Sequence, residues 1–262
     1  MLIAHLSDLH LFTGRSETGK TRADIDRVIE ALVADIAALD PLPDIVAISG
    51  DLTDGGTPDD YRRLEALLAP LPMPVLAVPG NHDRREAMRA GLSNRLAGIG
   101  EGDFMNARVA LDGVTLLGLD TVVPGAPQGA LCTERLDWLE GELASCHGTT
   151  VIVMHHPPIM TGNPQWDAYS LIEGRERFIE LLAGSPRRLL CGHIHQPLHA
   201  RWGAHDVSVA GSPAFEYHLS PGSRSAPLSH PVPFSYPLHH WGPEGSVSVY
   251  RRHLSIPPVP VP

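Results

Sequence analysis

IVAISGD, residues 45–51, is a short apolar run closed by the turn pair Gly50-Asp51. It is too short for a helix and reads as a buried strand that ends on a carboxylate. Upstream, Ile25, Val28, Ile29, Leu32, Val33, Ile36 and Leu39 recur at three- and four-residue spacing, the pattern of an amphipathic helix. Before that helix, residues 2–7 form another apolar run, followed by Asp8 and His10. Downstream, Thr57-Pro58-Asp59-Asp60 combines a cap, a first-turn proline and two acids, and opens a helix carrying Tyr61, Leu64, Leu67 and Leu68. The alternation continues. Strands are expected at residues 75–78, 114–119, 151–154 and 189–191. Helices are expected from Thr133 through Leu143 and closing at 178–182. Strands alternating with helices give an α/β fold around a largely parallel sheet.

In such sheets ligands gather at the carboxyl ends of the strands. Here polar residues follow strand after strand: Asp8 and His10, Asp51, Asn81 and His82, His155, then His193 and His195. A lone His or Asp after a strand is ordinarily a cap or turn residue. Seven suitable donors in five segments form a joint pattern that turns do not explain. Imidazole, carboxylate and amide oxygen suit borderline-hard divalent metals. One ion needs three or four protein ligands. Seven is too many for one ion and about right for two, with a carboxylate able to bridge ions some 3.5–4 Å apart.

The composition narrows the class. Hydrophobic residues make up 43% and charged residues 19% of 262 positions, which excludes a disordered or fibrous chain. No apolar run is long enough to cross a bilayer, and MLIAHLSDLH has no features of a signal peptide. Twenty basic against thirty acidic residues leave a net charge of −10, which speaks against a nucleic-acid polymer as partner. Three cysteines without CxxC spacing fit a reducing, cytoplasmic setting. The last fifty residues differ. Pro221, Pro227, Pro231, Pro233 and Pro237 are expected to interrupt regular structure, residues 246–252 alternate like one last strand, and residues 256–262 look like a frayed tail.

Five blocks stand in order: DLH (8–10), GDLTD (50–54), GNHD (80–83), MHHPP (154–158) and GHIH (192–195). Together they resemble the calcineurin-like metallophosphoesterase superfamily, over residues 1 to about 210. The likeness is greatest to class III cyclic-nucleotide phosphodiesterases and bacterial glycerophosphodiester phosphodiesterases. The resemblance implies a four-layer α/β sandwich, two facing β-sheets flanked by helices. It implies a catalytic core over residues 1–210, and a segment over 211–262 that completes the core and caps the site or contacts another subunit. It assigns Asp8, His10 and His195 to one metal and Asn81, His155 and His193 to the other, with Asp51 bridging. The ions would be iron, manganese, zinc or cobalt, divalent or mixed-valence. His82 matches the substrate-facing histidine that assists the leaving group; Asn81 and Asn163 are further candidates for substrate contact.

The function so implied is hydrolysis of a small phosphodiester by hydroxide that the two ions generate near neutral pH. The substrate would be a cyclic nucleotide, a glycerophosphodiester or a related phosphonate ester. A monoesterase, a protein Ser/Thr phosphatase, a DNA nuclease and a non-catalytic binding module are the rivals. The motif segments carry no lysine, and Arg84 and Arg85 lie just outside GNHD, which favours a singly charged diester over a dianionic monoester. His156 is expected to support ligand His155, Asp54 and Asp120 to be structural, and Cys191 to be a buried thiol. Trp166 is expected to wall the pocket, and His218 to stand near it. The apolar residues Val232, Phe234, Tyr236, Leu238 and Trp241 of the C-terminal segment suggest packing on another surface, hence a homo-oligomer.

Overall fold

The computed structural model describes residues 1–185, 187–230 and 233–255. Two β-sheets dominate. In the first, Leu2–Leu6 runs parallel to Ile45–Ile48, with Ile3 beside Ile45, and Ile45–Ile48 runs parallel to Val75–Ala77. On its other side Leu2–Leu6 pairs antiparallel with Phe234–Trp241, which pairs with Val247–Leu254 at the edge. The second sheet is ordered Leu198–Trp202, His205–Val209, Arg188–Cys191, Thr149–Met154, Val114–Leu119, Ala107–Leu111. Its four inner strands are parallel and its two edge strands antiparallel to their neighbours.

Side-chain alternation divides the interior into three cores. Ile3, Ile45, Ala47 and Leu76 point to one face of their sheet and meet Leu116, Val151, Val153 and Leu190 from the other. The intervening residues Ala4, Val46, Ile48, Val75 and Ala77 point the opposite way, onto Val28, Ile29, Leu32 and Val33 of the helix Ile25–Ala37 and Tyr61 and Leu64 of the helix Pro58–Leu68. Leu117, Ile152, Met154, Leu189 and Cys191 likewise meet Leu136 and Leu139 of Thr133–Ser145 and Phe178 and Leu182 of Arg175–Leu182. Helix, sheet, sheet, helix is therefore the layering, and it rests on the two-residue period of the strands. A one-residue slip of any inner strand would exchange its two apolar faces.

The helix Pro58–Leu68 starts as its residues dictate. Asp60 N donates to Thr57 Oγ1 at 3.2 Å, Thr57 N donates to Asp60 Oδ2 at 3.1 Å, and Pro58 fills the first turn. The C-terminal prolines break the chain less than expected. Phe234–Trp241 is an eight-residue strand with Pro237 inside it. Pro237 lies past Leu238, the last residue paired with the first strand, so its missing N–H falls where that ladder has ended. Phe234, Tyr236, Leu238 and Trp241 are buried in this chain's own cores, which accounts for the apolar residues of this segment. The expected last strand is present as Val247–Leu254. Val232 and residues 256–262 lie outside the described residues.

Candidate metal centre

The parallel strands of both sheets end at one edge of the sandwich, and each delivers its polar residues there. Leu2–Leu6 is followed by Asp8 and His10, Ile45–Ile48 by Asp51, Val75–Ala77 by Asn81, Thr149–Met154 by His155, and Arg188–Cys191 by His193 and His195. The backbone turns sharply at these points. Asp8, His10, Asp51, His193 and His195 all have positive φ, between 45° and 72°. They are all the non-glycine residues with positive φ among those described. Left-handed backbone at non-glycine residues clusters where structure is held for function. The glycines of the motifs have a steric cause. A Cβ on Gly80 would overlap Asp51, and one on Gly192 would overlap Ser7 and Asp8, so the strand-end turns can touch only without side chains there.

Seven donor atoms converge. His10 Nε2 lies 3.1 Å from His195 Nε2 and 3.5 Å from Asp51 Oδ2, and His195 Nε2 lies 3.2 Å from Asp8 Oδ1. On the other side of Asp51, its Oδ2 is 3.4 Å from His155 Nε2. Asn81 Oδ1 is 3.2 Å from that nitrogen and 3.1 Å from His193 Nδ1. Hydrogen bonds fix the tautomers of three imidazoles. His195 Nδ1–H donates to the Phe215 carbonyl at 3.0 Å, His155 Nδ1–H to the Ser49 carbonyl at 2.8 Å, and His10 Nδ1–H to Asp54 Oδ1 at 3.1 Å. Each Nε2 then presents a bare lone pair to the cluster, and the Nε2 atoms of His10 and His195 face each other. Opposed lone pairs repel unless a cation lies between them. Four nitrogens and three oxygens of this kind are a donor set for borderline divalent ions, and the site's chemistry fits them.

The electrostatics agree. Burial disfavours charge on His155, yet the carboxylates of Asp51 and Asp8 outweigh it and push its pKa up to about 9. Burial likewise opposes ionisation of Asp51, but His155, His82 and His10 hold its carboxyl well below the usual range. His193 is driven well below the ordinary imidazole value by burial and by the neighbouring His156 and His155, which keeps its lone pairs available. The cluster favours positive charge at its centre and neutral rings around it.

His82 stands at the rim. Its backbone N–H donates to Asp51 Oδ1 at 2.9 Å, and its Nδ1 to the Asp54 carbonyl at 3.1 Å, which leaves Nε2 for the cavity. His156 is committed elsewhere: Nε2–H donates to the Pro127 carbonyl and Nδ1 accepts from Thr121 Oγ1 at 2.7 Å, while its ring packs on His193 and His155. Asn163 is not brought to the cavity. It is buried and accepts from Gln165 and Trp166 N–H groups, capping the short helix Pro164–Asp167. Trp166 does line the cavity, of about 320 Å³, with His82, Asn81 and Tyr217. His218 is exposed and bonded to Ser229 Oγ. Arg85 forms a two-bond pair with Asp120, and Arg84 donates to the carbonyls of His82 and Asp83; neither lines this cavity.

Sequence reasoning missed two features. Asp54 is more than a loop residue: it orients His10 and also accepts from Ser16 Oγ, Thr18 N, Thr18 Oγ1 and Thr21 Oγ1. Its place in GDLTD, three residues after Asp51, was the available signal. Lys20 reaches the cavity, although no motif contains it. Its signal was rarity, since it is the only lysine in the chain.

Known proteins repeat this arrangement. The calcineurin-like phosphoesterase family model matches residues 1–197. A probable glycerophosphodiester phosphodiesterase, GpdQ, of Arcobacter nitrofigilis is 28% identical over 257 residues, covering 97% of this chain and 93% of its own. The 3',5'-cyclic adenosine monophosphate phosphodiesterase CpdA of Pseudomonas aeruginosa is 32% identical over 243 residues, covering 89% and 83%. Among solved structures, a purple acid phosphatase from yellow lupin seeds superposes with a TM-score of 0.64 at 14% identity, over 96% of this chain and 51% of that one, a likeness of fold. With three-quarters of its length matched, and with the strand-end donors inside the matched span, this chain belongs to the calcineurin-like phosphoesterase family.

Proposed function

We propose that this protein hydrolyses small phosphodiesters at a centre of two metal ions. The observation that carries this reading is the placing of Asp51 Oδ2 between two donor groups, 3.5 Å from His10 Nε2 and 3.4 Å from His155 Nε2. Asp8, His10 and His195 would hold one ion and Asn81, His155 and His193 the other, with Asp51 shared. Ions so held supply acidified water near neutral pH and charge balance for the phosphoryl oxygens. Manganese, iron, zinc and cobalt all suit nitrogen and oxygen donors of this kind.

The chain's own residues do the rest. Asp54 keeps the proton of His10 on Nδ1, so Nε2 stays free for the centre. The Ser49 and Phe215 carbonyls do the same for His155 and His195. His82 is aimed by the Asp54 carbonyl so that Nε2 faces the cavity. From there it donates a proton to the departing alkoxide, a contribution of roughly 10²–10⁴ in rate. Neither arginine near GNHD enters the cavity lining, which suits a diester's single charge better than a monoester's two. The relatives named above act, by their names, on a glycerophosphodiester and on a cyclic nucleotide, and both are small diesters.

The test compares bis(p-nitrophenyl) phosphate with p-nitrophenyl phosphate, which share a leaving group. We expect higher kcat/KM for the diester, loss of activity to a chelator, and its return with manganese or cobalt. A clear preference for the monoester under matched metal conditions overturns the diesterase reading.

A further inference from the structure

Lys20 is the only lysine among 262 residues, and it stands in the wall of the reaction cavity. Its ammonium donates to Tyr217 Oη at 2.8 Å and lies 5.5 Å from the centre of that ring. The two residues are 197 positions apart, so the contact closes one side of the mouth with two distant segments. Both segments are tied down. Thr18 and Thr21 are bonded to Asp54, and the Lys20 carbonyl accepts from His230 Nε2 at 2.9 Å. Tyr217 pairs with Leu228 in a short antiparallel ladder, and its ring lies 4.9 Å from that of Trp166.

The charge at this spot is unbalanced. Among the described residues no carboxylate lies within ion-pair distance of Lys20, in a chain of net charge −10. Asp51 is the one carboxylate in the cavity lining, and it belongs to the donor cluster. A tyrosine ring at the mouth would ordinarily attract a quaternary ammonium group. Here Lys20 already stands beside that ring.

We propose that Lys20, held by Tyr217, sets the specificity of the site by the charge of the ester arm that stays on phosphorus. Neutral and anionic arms are accepted; cationic arms such as choline or ethanolamine are disfavoured. The proposal rests on the diesterase reading above, and it deepens that reading by naming the substrate class. Its size follows from Coulomb's law. A unit charge about 6 Å away changes kcat/KM roughly three- to twenty-fold at effective dielectric constants between about 80 and about 30.

The test uses a matched pair of esters, p-nitrophenyl phosphorylcholine and 3,3-dimethylbutyl p-nitrophenyl phosphate. They share a leaving group and the shape of the arm, and differ in one positive charge. The manganese-loaded wild type should favour the neutral arm within that range. Lys20→Met should bring the ratio close to one, and Lys20→Glu should invert it. Calorimetric Kd values of choline phosphate and 3,3-dimethylbutyl phosphate for the same three proteins should follow the same order, without turnover. Ratios that stay at the wild-type value in Lys20→Glu overturn the proposal and leave the diesterase reading standing. Absence of metal-dependent hydrolysis of both esters by the wild type overturns both.

Discussion

Replacing Asp54 by asparagine keeps its shape and removes its charge. The carboxylate accepts five hydrogen bonds: Oδ1 from His10 Nδ1, Thr18 Oγ1 and Thr21 Oγ1, and Oδ2 from Ser16 Oγ and Thr18 N. Burial works against ionisation here, but the bonds from His10 and Ser16 hold the carboxyl well below the usual range. An amide has an oxygen on one side only. With that oxygen towards His10, its NH2 meets Thr18 N–H, a donor that cannot turn away, and one buried bond is lost. Turned the other way, the NH2 forces His10 Nδ1 to accept, which moves the ring proton to Nε2 and blocks a metal-facing lone pair. The first arrangement wins. It costs about 1–3 kcal/mol of stability, the range for a buried group left unsatisfied. It also deprives His10 of its charged partner, a change that lowers metal affinity roughly 10- to 100-fold. Urea denaturation of the metal-free protein reads the first quantity. Competition against a chelating dye reads the second, and only one of two metal equivalents should weaken. Wild-type stability together with wild-type affinity for both equivalents would refute the reasoning.

Three further outcomes are expected. Asp51→Ala should empty both metal positions and abolish turnover, and elemental analysis finding two full equivalents in that variant contradicts the shared role. His82→Ala should keep its metal and lose more rate on alkoxide than on nitrophenolate leaving groups, by up to roughly 10²–10⁴; equal losses on both would mean that His82 donates no proton. Tyr236 Oη donates to Asp35 Oδ2 at 2.7 Å and ties the C-terminal strands to the helix Ile25–Ala37. Tyr236→Phe should therefore cost about 0.5–1.5 kcal/mol in urea denaturation, and an unchanged midpoint would show that bond to be without net effect.

The strands were legible because their apolar runs are short, end in turn signals and alternate between two buried faces. The split of Ile3 from Ala4, or of Ile152 from Val153, is a parity that sequence carries directly. The donors were legible because each follows such a run at a fixed offset. Other features depend on tertiary contacts that no local pattern records. Phe234–Trp241 was obscured by Pro237, which is harmless only because the neighbouring ladder stops short of it. Asn163 looked like a pocket residue, but its side chain serves the local backbone, as a cap does. Lys20 lies in a loop without periodicity, and only the arrival of Tyr217 from the far end of the chain gives it a place.

The left-handed backbone at Asp8, His10, Asp51, His193 and His195 has a consequence for the order of events in biogenesis. Each such conformation costs an L-residue roughly 1 kcal/mol or more. Five independent penalties of that size multiply to an occupancy of about one in five thousand in a chain with no tertiary structure. A nascent or unfolded polypeptide therefore offers ions scattered histidines and aspartates, never a forerunner of the completed nest. Sheet closure must come first and metal uptake last, so a chelator present during refolding should leave the folding rate unaltered and only delay the appearance of activity.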